Sequence, residues 1–248
     1  MSLSTTRPGL PTVIAARTSQ AGVASTPAKH GRHTAWAWLA LALVGTAVGL
    51  FAWSYFLPWW QFKLFAPQYP AGLNLEISLT GLGGDAREIN MLNHYIGMRG
   101  LDEAAGVERK LAAWGVGLLG VLVVALALWV GRRYSPLLVL AGLLFPLGFV
   151  GDSFFWLWLF GHSMDPHAPL NIPAFTPALF GGGHIGQFYT WAGPLWGFWA
   201  ALAGCGALLL AVLARRGACA QCPLADNCGK VCTRSLVGRT PTPGATAS

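Results

Sequence analysis

Charge is what this chain lacks most. Its 248 residues hold 16 lysines and arginines and 9 acids, so 10% are charged while 54% are hydrophobic, and mean hydropathy is +0.51. That balance is too apolar for an ordinary soluble domain. Also absent are an internal repeat, a glycine-rich nucleotide loop, a pore filter and a nucleophile–base pair. No long apolar run contains a histidine that could ligate a haem. The sequence therefore carries no signature of an enzyme.

What is present is apolar length. The runs Trp36–Leu57, Leu111–Val130, Pro136–Phe160 and Gln187–Ala214 each reach the roughly 20 residues needed to cross a bilayer. Glycine and proline interrupt the last two, which membrane helices tolerate. The expected fold is an all-α integral membrane protein with four transmembrane helices in the lipid bilayer. A small strand–helix element is expected in its first outer loop.

Basic residues near the span ends set orientation. Arg7, Arg17, Lys29 and Arg32 precede the first run, and Arg132 and Arg133 separate the second from the third. Arg215, Arg216, Lys230, Arg234 and Arg239 follow the fourth, opposed by Asp226 alone. This predicts a membrane protein with both termini inside and outer loops at 58–110 and 161–186. The net charge of +7 follows from that inside bias, which argues against nucleic-acid binding. The first run is too long for a cleavable signal core and no small-x-small site follows it, so it reads as a signal anchor. Residues 1–34 and 237–248, rich in small and polar residues, are expected to be disordered. Between them lie a membrane domain, 35–214, and an inner cysteine segment, 215–236.

The histidines and methionines gather in the two outer loops. In the first, Trp59 and Trp60 follow Pro58 at a span end, where an interfacial aromatic belt is expected. The alternation Leu73-Asn74-Leu75-Glu76-Ile77-Ser78-Leu79-Thr80 predicts a half-buried strand. Asp85-Ala86-Arg87-Glu88 then opens a short helix to about Gly97, its two carboxylates placed to satisfy first-turn amides. Met91, His94 and Met98, at i, i+3 and i+7, are expected on one face, with Asn90 placed to orient the His94 ring. Thioether and imidazole together suit copper; the alternative is that the methionines fill gaps in a core. The second loop holds His162, Met164, Asp165 and His167 within seven residues, followed by Gly181-Gly182-Gly183-His184. Asp165-Pro166 also reads as a turn initiator, with Asp165 as its cap. The two loops could share one copper site.

Asp152, between Gly151 and Ser153, lies inside the third run. A carboxylate there is a candidate proton or cation relay, or a structural hydrogen-bond partner for Tyr189, Thr190 or a tryptophan indole. Cys219, Cys222, Cys228 and Cys232 are spaced C-x2-C-x5-C-x3-C on the inner, reducing side. That argues against disulfides and for zinc or an iron–sulfur cluster, with a redox dithiol or a metal relay as the rival. Cys205, within the fourth run, reads as packing.

The segment Gly84-Asp85-Ala86-Arg87-Glu88-Ile89-Asn90-Met91-Leu92-Asn93-His94-Tyr95-Ile96-Gly97-Met98 resembles a bacterial family of small polytopic membrane proteins with an E-I-N-x-L-N-H-Y-I-G-M signature. Gly161 through Leu170, then Pro173 through Pro177 and Gly181, is similar to that family's second outer block. The resemblance covers roughly residues 35–214. Such proteins are often encoded with copper-linked respiratory genes, notably accessory genes for nitrous oxide reductase. The signature carries His94, Met98, His162 and Asp165; Met91, Met164 and His167 fall where the family varies, and the cysteine tail lies outside it. The resemblance implies that pathway and no mechanism. Taken with the loop residues, the expected function is an accessory factor of the bacterial inner membrane, not an enzyme, which handles copper at the periplasmic face and works with a periplasmic copper enzyme or copper chaperone. His94, Met98 and His162 would be its ligands, with Asp165 behind them. Two alternatives stand beside it: electron transfer through a cysteine-held cluster, and a structural subunit whose loops only dock a partner.

Overall fold

The computed structural model describes the backbone of residues 28–129, 135–169, 173–185 and 188–220, with side chains from 35 to 217 outside the gaps and Trp129. In chain order the elements are α1 (Ala28–Ser54), β1 (Pro58–Ala66), β2 (Tyr69–Ser78), β3 (Gly81–Gly84) and α2 (Ala86–Tyr95). After a 3-10 turn at Leu101–Glu103 come α3 (Gly106–Trp129), α4 (Pro136–His162), β4 (Gly181–Ile185), β5 (Phe188–Pro194) and α5 (Trp196–Ala220).

Four helices among the described residues are long and apolar enough to cross a membrane: Ala35–Ser54, Gly106–Leu128, Pro136–His162 and Trp196–Gly217. Small residues bring α1 and α5 together. Ala47, Ala201, Ala207 and Ala211 are buried with Phe51, Cys205 and Leu208, and Phe51 sits against Gly204. Helices without bulky side chains at the contact approach closely, which is how packing is gained where lipid offers no hydrophobic drive. Cys205 is packing, as expected. Leu118, Val121, Leu140, Leu147, Leu210 and Leu213 remain exposed, a surface compatible with lipid tails.

The all-α expectation is corrected by a five-stranded antiparallel sheet in the order β3-β2-β1-β5-β4. It gathers where α1 and α4 end and α3 and α5 begin. The half-buried strand expected at 73–80 is present as β2, which starts earlier, at Tyr69, and ends at Ser78 with Leu79 and Thr80 in the turn; Leu73 and Leu75 are buried under Ile89 of α2. Its neighbours had not been expected. Trp59 and Trp60 are no interfacial belt: both are 0% exposed. Trp59 packs on Phe145, Phe149 and Phe198 and donates from Nε1 to Ser54 O at 2.8 Å. Trp60 donates from Nε1 to Leu179 O at 2.9 Å, tying β1 to the segment before β4. The fourth membrane helix begins at Trp196, not Gln187, because Phe188–Pro194 pairs with β1 from Phe65↔Tyr189 to Trp60↔Pro194. Gly181 to His184, expected as loop, is in strand β4. Residues 28–34, assigned above to a disordered segment, are helical.

Candidate functional site

The helix α2 lies on the sheet with Ile89, Asn93 and Ile96 buried beneath it, at i, i+4 and i+7. Met91 and Tyr95 are 62% and 56% exposed on its outer side, and His94 beside them is exposed. The helix stops earlier than the methionine stripe requires. Gly97, at φ +73°, donates to His94 O (3.3 Å) while Met98 N donates to Asn93 O (2.9 Å). This is a Schellman ending, which reverses the chain after Ile96. Met98 consequently lines a cavity beneath α2 and does not extend a Met91–His94 face. Asn90 does not orient His94 either: its Oδ1 accepts from Leu101 N and its Nδ2 donates to Asp102 Oδ2. At the other end Asp85 makes no side-chain cap bond; its Oδ2 accepts from Asn74 N at 2.8 Å, fastening α2 to β2.

The second segment docks onto this helix ending. Asp165 N donates to Gly97 O at 2.9 Å, and Phe175 N to Gly161 O at 3.1 Å. Asp165 Oδ1 accepts from His167 N (2.9 Å) and faces His167 Nδ1 at 3.3 Å, so Asp165 caps its own turn as expected. That amide first, then the imidazoles of His167 and His94, hold the Asp165 carboxyl below the usual carboxylate range. His94, Asp165 and His167 therefore share one exposed patch.

Acceptors on the histidines fix their tautomers. His162 stacks on Trp158, and its Nδ1 lies 2.9 Å from Trp158 O. A carbonyl can only accept, so Nδ1 carries a proton, and in the neutral ring the lone pair is on Nε2. His167 Nδ1 against the carboxylate gives the same result. A metal-ligating histidine is commonly held this way. Even so, among the described residues no three His, Cys, Asp or Glu side chains form a group that could hold a metal. His184 packs its ring on Tyr189, and Met164 is half-buried. The side chain of Cys219, and all of Cys222, Cys228 and Cys232, lie outside the described residues.

Below the patch lies a cavity of about 510 Å³, bounded by the sheet, α2, the first turns of α3 and residues 144–160 of α4. Asp152 lines it at the level of Glu108 and Arg109, at the beginning of α3. The 27 residues of α4 span ~40 Å, longer than a ~30 Å hydrocarbon core. Asp152, three residues past the midpoint of α4 at Phe149, stands within reach of Glu108 at the start of α3. Trp156, one turn further on, interacts with it. Thr190 is engaged elsewhere, donating to Gly183 O. Asn93 and Trp156 were not singled out in the sequence. Their signal was a polar residue on the apolar i, i+4, i+7 face of α2, and an indole four positions after Asp152.

No family model matches the chain, and neither a curated protein nor a solved structure is found to match it.

Proposed function

We propose that this chain is an accessory protein of the bacterial inner membrane, with both termini inside, which handles copper at its periplasmic face. It would serve the maturation or support of a respiratory copper enzyme of the nitrous oxide reductase type. The observation that carries the reading is the docking of the Asp165–His167 turn onto the end of α2, which puts His94 and His167 in electrostatic reach of one carboxylate. An open patch with few ligands suits transfer better than storage, because a metal held tightly needs a closed and complete shell. Exposed Met91 supplies the soft thioether beside His94, and Tyr95 an apolar contact for a copper chaperone or enzyme. His162, its Nδ1 held by Trp158 O, stands in the same segment as a further ligand. Met98 is a weaker candidate than its spacing suggested, since it faces the cavity. Copper, and zinc or an iron–sulfur cluster at the cysteine tail, are the metals this reading includes.

The test is anoxic purification in detergent, followed by Cu(I) titration against a chromogenic Cu(I) chelator and assay of iron, zinc and sulfide. A His94→Ala/His167→Ala variant should bind Cu(I) at least about tenfold more weakly, as expected for loss of about 1.4 kcal/mol or more of ligand free energy. A chain ending before Cys219 should keep the Cu(I) affinity. Unchanged Cu(I) binding in the histidine variant would sink the proposal. Iron and sulfide lost only on truncation would favour electron transfer instead.

A further inference from the structure

We propose that the cavity beneath α2 binds a neutral ring-bearing lipid of the quinone class, taken up from the bilayer. This is independent of the copper reading. At about 510 Å³ the cavity falls within the ~300–1,000 Å³ range of small-molecule sites. Leu144, Phe145, Gly148 and Phe149 of α4, with Ala112 and Gly115 of α3, line it from within two membrane-length helices. An apolar tail could therefore lie between those helices.

The other end is different in kind. Asn93 is 7% exposed, lines the cavity, and its Nδ2 has no hydrogen-bond partner. Trp156 Nε1 is also buried but is turned to the Asp152 carboxyl, so Asn93 supplies the open donor of this end. Buried donors without acceptors are rare, since each forfeits its hydration, and they suggest a missing acceptor. The Asn93 donor is a neutral N–H group, which matches a carbonyl oxygen. The charged lining disfavours a phospholipid. Asp152 and Glu108 are anionic when ionised, and the Arg109 guanidinium is turned onto the carbonyls of Asp102, Ala104 and Ala105. Lys63 also touches the cavity, but it alternates with Phe62 and Leu64 along β1, so its side chain points to the opposite face of the sheet. Phe62, Phe145, Phe149, Phe160 and Trp156 surround the space with aromatic surface suited to a flat ring.

The experiment titrates the intact, delipidated protein in detergent with decyl-ubiquinone by calorimetry. Gly148 offers a clean block, because a Cβ there would meet nothing within 4 Å and the position lines the cavity. Saturable binding is expected, with Gly148→Leu weakening it at least about tenfold. Asn93→Leu should weaken it about five- to tenfold, the value of one hydrogen bond. Gly45→Leu, a helix position with equal open space but outside the cavity, should leave affinity unchanged. No saturable binding would overturn the proposal, as would equal losses at Gly148 and Gly45. Displacement of the quinone by equimolar phosphatidylethanolamine would also overturn it, assigning the cavity to an ordinary ester lipid.

Discussion

The amide of Asp165 donates to the carbonyl of Gly97 at 2.9 Å, and a Cβ on Gly97 would come within 2.8 Å of both Asp165 O and Ala168 Cβ. The ending of α2 and the turn after α4 are thus built against each other. Each is needed for the other's geometry: the left-handed Gly97 stops the helix, and the reversal exposes the carbonyl that Asp165 uses. Everything proposed for the His94–Asp165–His167 patch depends on this junction.

Gly97→Ala should undo it. The residue sits at φ +73°, where a Cβ is strained, and the space is already occupied. A loss of about 1–3 kcal/mol is expected in SDS-induced unfolding from mixed micelles. Proteolysis of the 163–169 turn should rise with it. Gly100→Ala is the control, because Gly100 has φ −62° and a Cβ there meets nothing within 4 Å. Equal effects at the two glycines would refute the junction.

Asp165 gives the patch a pH dependence. Its carboxyl is held below the ordinary value of 3.8, chiefly by the His167 amide. A group whose folded pKa is lowered contributes stability that is present above its unfolded pKa and lost as pH falls through the folded pKa. The turn should therefore be fully closed above about pH 5 and should open only below the ordinary carboxylate range. Hydrogen exchange at the His167 amide reports this. Asp165→Asn keeps an acceptor oxygen without the charge, so its turn should show no pH-dependent step in that acid range.

The four membrane-length helices were legible because apolar length is a one-dimensional signal, and β2 was legible because Leu73, Leu75 and Ile77 alternate with polar residues. The strand β1 carried the same signal in Trp60, Phe62 and Leu64 against Gln61 and Lys63. Its position beside a span end made the tryptophans look interfacial. Phe188-Tyr189-Thr190-Trp191 merged with the apolar run of α5, although Pro194 marks where ladder bonding must stop. The methionine stripe failed for a different reason: i, i+7 spacing assumes an unbroken helix, and Gly97 ends it. The cavity was not legible at all, since Asn93, Glu108 and Trp156 meet only through tertiary packing.

Trp60→Phe tests the correction at β1. The substitution keeps most of the ring but removes the Nε1 donor to Leu179 O, leaving a buried carbonyl short of a partner. About 1–3 kcal/mol should be lost. Protection of the Gly181–Ile185 amides should fall, because Leu179 anchors the approach to that strand. A surface tryptophan in an interfacial belt would tolerate phenylalanine within about 0.5 kcal/mol. Such tolerance would contradict the buried position.

Asp85 separates two roles that a helix N-terminus can confuse. If its carboxylate capped α2, Asp85→Ser would be tolerated, because serine is among the best caps. In the structure the carboxylate instead reaches back to Asn74 N, while Asp85 N donates to Asn74 O at 2.7 Å. Serine is too short for that reach, whereas asparagine retains an oxygen at the same distance from the backbone. Asp85→Asn should therefore stay within about 0.5 kcal/mol of the parent, and Asp85→Ser and Asp85→Ala should each lose about 1–2 kcal/mol. Exchange of the Asn74 amide should accelerate in the last two alone. Rescue by serine would return Asp85 to a capping role and leave the Asp85 N–Asn74 O bond and the packing of Ile89 with its apolar neighbours to fasten α2 to the sheet.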